Sequence, residues 1–278
     1  MVTDLVVQGL DIETGDLKRL AKLSGASGIE QLSATAFRLR DGAPADEIPP
    51  LCDEHGLDYA FVPRERRLAD YALLVMDMDS TLITIETIDE LADMAGLKSE
   101  VAAITTQAMR GEIEYDESLA RRVALLKNLE ESALQRVYDE RLKLTPGAQT
   151  LLQRVQALGL RTLLVSGGFT YVTDRLKTRL RLDRCHSNVL EIDGGRLTGK
   201  VLGAIVNAEG KREALLQVRD ELGLTRESII GIGDGANDLK FLGECGVSVA
   251  FHAKPIVRDK TTHAINHVGL DGVLHLFH

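Results

Sequence analysis

The chain has 278 residues, 44% of them hydrophobic and 27% charged, enough to bury one large core or two modest ones and too apolar for a disordered or collagen-like protein. Its 33 Lys+Arg against 42 Asp+Glu give a formal charge of −9; with no Trp and 4% aromatic residues it offers neither a phosphate-seeking surface nor stacking rings, so nucleic acid is not an expected partner. No apolar run approaches the roughly 20 residues of a membrane span, Met1-Val2-Thr3-Asp4 lacks the layout of a signal peptide, and Cys52, Cys185 and Cys245 stand far apart in no metal spacing. A cytoplasmic protein with reduced thiols and no membrane contact is expected.

The first elements read as a small module. Leu5-Val6-Val7 starts a strand, a helical stretch runs from about Asp16 to Leu23, Ala34 to Leu39 alternates like a strand before the Asp41-Gly42 turn, and Leu57 to Val62 is another strand. Between them Pro49-Pro50 can open a helix that runs to His55 and stops at Gly56. The implied order is strand-helix-strand-strand-helix-strand. Charged Pro63 to Arg67 then reads as a linker, with a boundary near Arg67.

From there short, continuously apolar runs alternate with amphipathic helices, as in a parallel sheet covered on both faces. Tyr71 to Met76, Arg161 to Val165, Ser228 to Ile232 and Val247 to Phe251 are the predicted strands. Thr145-Pro146 caps and opens a helix that stops at Gly159, and Lys211 to Leu222 forms another that ends at Gly223. Glu86 to Leu142 has no strand pattern and reads as a helical insertion. Asn188 to Leu202, around Asp193-Gly194-Gly195, reads as a hairpin flap.

Polar residues follow three of these strands at once: Asp77-Met78-Asp79-Ser80-Thr81, Ser166-Gly167-Gly168 and Gly233-Asp234-Gly235-Ala236-Asn237-Asp238. In a parallel sheet the carboxyl ends form the crevice where ligands bind, so these loops are expected to share one site. Asp77 and Asp79 leave the same face if the strand continues through Asp79, and do not if it breaks. Carboxylates so placed repel one another unless a cation sits among them, and oxygen donors without His or Cys favour Mg²⁺. Three rival patterns fail. Asp77-x-Asp79-x-Thr81 lacks the Gly and Glu of a calcium loop, having Leu82 and Ile88 there. Gly231-x-Gly233-x-x-Ala236 would set Asp234 and Asp238 beside a pyrophosphate. Ser166 has Leu164 where a nucleophile elbow needs glycine, so it is expected to bind phosphate, with helix capping as a second reading. The seven histidines show no ligand spacing.

Asp77-Met78-Asp79-Ser80-Thr81-Leu82, Ser166-Gly167-Gly168, Lys211 and Gly233 to Asp238 resemble, in order, the four motifs of the haloacid dehalogenase superfamily of phosphohydrolases. Glu86-Thr87-Ile88-Asp89-Glu90, the segment Met109 to Leu126 with Arg121-Arg122-Val123, and Ser166-Gly167-Gly168-Phe169 are similar, more narrowly, to its phosphoserine-hydrolysing branch. The likeness spans about residues 70 to 278. The N-terminal module resembles an ACT-type ferredoxin-like domain in element order alone.

The resemblance implies an α/β fold, a doubly wound, mostly parallel Rossmannoid sheet with a helical cap at about 86–142, preceded by a small α+β ferredoxin-like domain. Residues 1–66 would be an ACT-like regulatory or interaction domain and 67–278 the phosphatase domain. It further implies Mg²⁺-dependent hydrolysis of phosphoserine through an aspartyl-phosphate, the last step of serine biosynthesis. Asp77 would be the nucleophile and Asp79 the acid and base. Asp77, Asp234 and the Asp79 carbonyl would hold the metal, with Asn237 and Asp238 supporting. Ser166, Gly167, Lys211 and Asn237 would bind phosphate, and Glu86 and Arg122 would take the ammonium and carboxylate of the substrate. Met109 and Tyr115 would line the pocket. The alternative is a related phosphatase or phosphotransferase acting on phosphohomoserine, phosphothreonine or another small phosphomonoester. An inert, amino-acid-sensing chain is the non-enzymatic alternative, and formation of a homodimer stays open.

Overall fold

The structure is a computed structural model that describes residues 2–278. The chain divides into two compact units: the first comprises the residues up to Leu74, Thr145–Arg161 and Leu224–His278, the second Val75–Leu144 and Thr162–Gly223.

In the first unit the N-terminal elements follow the expected order: β1 (Thr3–Gln8), α1 (Thr14–Ser24), β2 (Gly28–Ser33), β3 (Ala36–Arg40), α2 (Ile48–Glu54) and β4 (Asp58–Pro63). The strands form an antiparallel sheet in the order β2-β3-β1-β4, the split-βαβ arrangement of ferredoxin-like folds. One face of β1 sends Leu5 and Val7 into a core with Leu17, Leu20, Leu39, Ile48, Leu51 and Cys52 from β3 and the two helices. The opposite face meets the C-terminal segment: Gln8 bonds His275, and Arg38 donates to the Phe277 carbonyl at 2.8 Å. The carboxylate of Asp58 accepts from the backbone N–H groups of Asn266, His267 and Val268. Three bonds to one buried carboxylate fix that corner rigidly. β2 is only partly buried along its length, so no buried apolar run announces it.

The larger sheet has the strand order β11-β10-β9-β5-β6-β7-β8. Its strands are β5 (Leu73–Met76), β6 (Arg161–Phe169), β7 (Arg184–Asp193), β8 (Arg196–Leu202), β9 (Ile229–Gly233), β10 (Val247–Phe251) and β11 (His263–Ile265). Pairings β9/β10, β10/β11 and β6/β7 are parallel, and β7/β8 is antiparallel. All four predicted strands are present. β5 starts at Leu73 and not at Tyr71, because a 3₁₀ turn at Leu68–Asp70 precedes it and the Tyr71 ring packs edge-on against Phe277.

The second unit carries the insertion, which is helical as expected: α3 (Thr87–Met94), α4 (Lys98–Met109), α5 (Tyr115–Leu125), α6 (Ser132–Arg136) and a π-turn at Val137–Arg141. Its core joins Leu91, Val101, Leu119, Val123, Leu134 and Val137 to Leu190 and Leu197 of the β7–β8 hairpin. The hairpin is more than a flap. β7 begins at Arg184, pairs in parallel with Leu163–Val165 of β6, and only then turns into the hairpin. The polar run Arg184-Cys185-His186-Ser187 conceals it in the sequence; Ser187 is buried against Thr173, which it hydrogen-bonds.

Helix starts also differ from expectation. α7 (Ala148–Ala157) opens after Gly147, at φ +78°, where a Cβ would run into Asp271; Thr145-Pro146 makes the preceding turn. α9 (Ala208–Glu221) begins three residues earlier than predicted because Asn207 Oδ1 accepts the N–H groups of Glu209 and Gly210. Lys211 is therefore a full turn inside the helix, on its buried face. The remaining helices are α8 (Thr170–Leu180), α10 (Leu239–Leu242) and α11 (Pro255–Arg258). No helix among the described residues is long and apolar enough to cross a membrane, and all three cysteines are free.

Candidate active site

Residues Leu73 to Met76 are fully or almost fully buried, so the carboxylate that follows them enters a site already stripped of water. Asp77 is 6% exposed. Its Oδ1 accepts the Met78 N–H at 2.7 Å and lies 2.8 Å from Nζ of Lys211, which is 1% exposed. A buried ammonium persists only beside compensating charge, so Lys211 is no ordinary surface lysine of a helix start.

The strand breaks after Met76. The chain turns through Met78–Ser80, with Ser80 at φ +57°, and Asp79 bridges back to Ile83. The extended same-face arrangement therefore does not apply to Asp77 and Asp79. Instead Asp79 points its carboxylate at the start of α3, where Oδ1 accepts from Thr87 Oγ1 at 2.8 Å and Oδ2 from the Thr87 N–H at 3.2 Å. Burial raises the Asp79 pKa to about 8, and the neighbouring Glu86 carboxylate pushes the same way, against the Thr87 bonds and Lys211. A carboxyl group poised near neutrality can both give and take a proton.

Glu86 immediately precedes α3 but makes no capping bond. Its Oε1 accepts from Ser80 Oγ at 2.7 Å. Burial raises its pKa, with Asp89 adding; the Ser80 bond, Lys211 and Arg122 oppose the rise. Arg122 lies on α5, half-buried, with Nε donating to the Ser118 carbonyl at 3.3 Å, whereas Arg121 beside it is exposed and pairs with Glu117. The two consecutive arginines thus separate into one that acts on the site's electrostatics and one on the surface. Met109 is 66% exposed at the end of α4. Tyr115 is the better pocket residue: burial raises its pKa, while Lys211, Arg122, Asp77 and Asp79 all act on it electrostatically.

Ser166 is buried within β6, and its Oγ accepts the Gly168 N–H at 2.9 Å. The capping reading is overturned: α8 starts at Thr170 with Phe169 as its flanking residue and no side-chain cap. A hydroxyl that accepts from the backbone still has its own proton to donate. The two glycines are required by close approach. A Cβ on Gly167 would strike Tyr115 Oη, and one on Gly168 would sit 2.7 Å from Met78 Cε and 3.3 Å from Asp79 Oδ2.

Two residues here lay beyond sequence reasoning. Asn188, 1% exposed, donates to the Gly167 carbonyl and accepts the Val206 N–H, both at 2.8 Å, so one amide ties the Ser166–Gly168 loop to the approach to α9. Thr87 is fully buried and holds Asp79. Thr87 stands in the Glu86–Glu90 segment that carries the resemblance, but nothing in the sequence marks it as a partner of Asp79, or Asn188 as a partner of Gly167.

In the first unit, β9 ends at Gly233 and a 3₁₀ turn, Ala236–Asp238, follows. Asp238 is fully buried, and its Oδ2 accepts the N–H groups of Asp234 at 3.1 Å and Gly235 at 3.0 Å. Asp238 thus fixes the loop that presents Asp234 and Asn237. A Cβ on Gly233 would lie 2.6 Å from Asp238 Oδ2, so glycine is what lets this carboxylate fold back. Asp234 and Asp238 are the carboxylates that this loop of the first unit offers to a metal ion, as Asp77 is at the end of β5 in the second.

Residues 74–243 match the model of the haloacid dehalogenase-like hydrolases, and residues 5–48 that of a domain of unknown function. The chain is 52% identical over 215 residues to the phosphoserine phosphatase of Polaromonas sp. (strain JS666), covering 76% of this chain and 91% of that one. The unliganded structure of a probable phosphoserine phosphatase from Vibrio cholerae superposes with a TM-score of 0.86 at 36% identity, over 99% of this chain and 86% of that one. A haloacid dehalogenase family hydrolase from Salmonella enterica serovar Typhi gives 0.89 at 32% identity, over 99% and 98%. A buried aspartate paired with a buried lysine, a protonable second aspartate and these similarities agree: the chain belongs to the phosphoserine phosphatases of the haloacid dehalogenase-like hydrolases.

Proposed function

We propose that this chain hydrolyses O-phospho-L-serine to L-serine and inorganic phosphate in the cytoplasm, with Asp77 as nucleophile and Asp79 as acid and base. The observation that carries the assignment of roles is the contrast between the two aspartates. Asp77 lies 2.8 Å from an ammonium that favours its ionised form, while Asp79 has its pKa raised to about 8. An ionised Asp77 oxygen attacks phosphorus as the bond to the serine oxygen breaks, and Asp79 gives that oxygen its proton. The Asp79 carboxylate then takes a proton from the water that attacks the aspartyl-phosphate, which releases phosphate and frees Asp77.

Lys211, the Ser166 hydroxyl and the Gly167 N–H are the donors for phosphate oxygens, with Asn237 completing the set. Glu86 and Arg122 carry the charges that complement the ammonium and carboxylate of phosphoserine. The donor chemistry suits Mg²⁺: Asp77 and Asp234 are carboxylates, Asp79 adds a backbone carbonyl, Asp238 supports the set, and neither His nor Cys is among them. When bound, the ion supplies positive charge that draws electrons from the phosphoryl group and lessens its repulsion from Asp77. Residues 1–66 are proposed as an ACT-like regulatory or interaction domain, on the strength of the β2-β3-β1-β4 order.

The test is a panel of phosphomonoesters with Mg²⁺. Phosphoserine should exceed compounds lacking the amino or carboxylate group by at least ~10² in kcat/KM, and the Asp77→Asn variant should neither turn over nor take up labelled phosphate. Equal turnover across the panel would refute the substrate, and labelled phosphate retained by D77N would refute the nucleophile.

A further inference from the structure

The proposed mechanism leaves two polar side chains unaccounted for, both in the short stretch where the chain leaves the sheet and enters the helical insertion. Ser80 Oγ donates to Glu86, and Thr87, through Oγ1 and N–H, donates to both oxygens of Asp79. The two bonds cross: residue 80 holds residue 86, and residue 87 holds residue 79. Backbone contacts lie beneath them, with the Ser80 N–H on the Ile85 carbonyl and the Ile83 N–H on that of Met78. Thr87 is the first residue of α3 and is fully buried, so its side chain moves only as α3 moves. Glu86 is its neighbour in the chain.

We propose that Thr87 is a positioning residue that aims the Asp79 carboxyl group at the leaving oxygen and makes that aim depend on what Glu86 binds. This rests on the reading of Asp79 as acid and base. The physical argument has two steps. A carboxyl group has two-fold torsional freedom about its last bond, and two donors from one residue, one on each oxygen, remove it. Those donors belong to the first turn of α3, so a substrate ammonium that draws Glu86 away from Ser80 shifts the same turn and carries Asp79 with it. A phosphomonoester without an ammonium leaves Glu86 on Ser80 and Asp79 in its resting orientation. Selectivity then appears in the rate of the proton-dependent step as well as in binding.

The experiment compares Thr87→Val, which keeps the shape and removes the hydroxyl, with Thr87→Ser, which restores it, in the full chain with Mg²⁺. Single-turnover release of serine from phosphoserine needs a proton on a strongly basic leaving oxygen. Release of nitrophenolate from p-nitrophenyl phosphate does not. Thr87→Val should slow serine release about ten- to a hundredfold, the range for a hydrogen bond to an ionisable group, with KM changed less than threefold. It should slow the nitrophenolate burst far less, and Thr87→Ser should recover most of the lost rate. Equal losses on the two substrates, or no loss on phosphoserine, would overturn the proposal. Asp79→Asn run alongside separates the two claims: if it leaves serine release unchanged, the acid–base assignment fails. If it abolishes serine release while Thr87→Val does nothing, only the role of Thr87 fails.

Discussion

Replacing Lys211 with methionine removes the ammonium 2.8 Å from Asp77 while keeping an unbranched side chain in a site where lysine is 1% exposed. At that separation two unit charges attract by about 6 kcal/mol with an effective dielectric of ~20, and breaking buried pairs by removing one partner costs roughly 3–5 kcal/mol. The Met78 N–H stays on Asp77 and holds back part of the loss, which places the expected destabilisation at about 3–4 kcal/mol. With a urea slope near ~3 kcal/mol/M, the upper range for small domains, the midpoint should fall by about 1 M. The measurement is a urea titration in the presence of a chelator, followed by near-UV and far-UV dichroism. Because either single change disturbs more than the pair, the informative number is the coupling from a double-mutant cycle with Asp77→Asn. The expected coupling is about 2 kcal/mol or more. A coupling below ~1 kcal/mol, the range of exposed ion pairs, would refute the claim that the low-dielectric surroundings of Asp77 give this pair its strength, and with it the argument that Lys211 keeps the nucleophile ionised.

Gly167→Ala sets a methyl group against Tyr115 Oη, with the ring carbon Cζ at 3.4 Å; kcat/KM should fall at least ~10-fold, from an overpacking cost of about 1–3 kcal/mol. Adding Tyr115→Phe removes the clashing oxygen and should restore most of the activity, while a double variant as poor as the single one would place the damage elsewhere. Stability should respond to pH through His263, whose pKa burial lowers to about 3 with help from Arg66, the guanidinium that bonds its Nε2. Between about 6.5 and 3 the unfolded chain binds a proton that the folded one refuses, so this contribution is complete above pH 6.5 and is lost as pH falls. By pH 5 the loss amounts to about 2 kcal/mol. Unfolding of the wild type should weaken by that amount more than unfolding of His263→Gln does between pH 7.5 and 5, and parallel curves would rule the histidine out.

The parts of the fold visible in the sequence are those set by local chemistry. β5, β6, β9 and β10 each carry a buried, mostly apolar run, and acidic or glycine-rich residues stand at the carboxyl end of three of those runs. The first half of β7 and all of β11 were hidden for the converse reason: Arg184-Cys185-His186-Ser187 and His263-Ala264-Ile265 sit toward the sheet's margins, where polar side chains meet water or one another. The geometry at Asp79 was hidden for another reason. A serine at φ +57° with no glycine to mark it turns the carboxylate back toward α3, and the bond that rewards this turn comes from Thr87, eight residues on. Asn188 likewise shows its purpose only when the loop after β6 and the residues before α9 are both beside it. Motif residues are legible because their chemistry is intrinsic to the side chain. Residues that hold them are legible only in three dimensions.

A chain with a net charge of −9 must still draw in a phosphate ester that is itself anionic, so attraction has to be local. Counted as full charges, Asp77, Asp79 and Glu86 would outnumber Lys211 and Arg122 and make this half of the site repulsive. The pKa shifts change that count. Asp79 is raised to about 8, mainly by burial, and the neighbouring Glu86 carboxylate pushes it the same way. Near neutral pH Asp79 is therefore largely uncharged before substrate arrives, Asp77 is matched by Lys211, and the charge of Arg122 offsets that of Glu86, so this half of the site carries no net repulsive charge. The same burial that makes Asp79 a competent proton donor thus removes the repulsion its charge would exert on the phosphate. One physical cause, the exclusion of water from the end of β5, serves both binding and proton transfer.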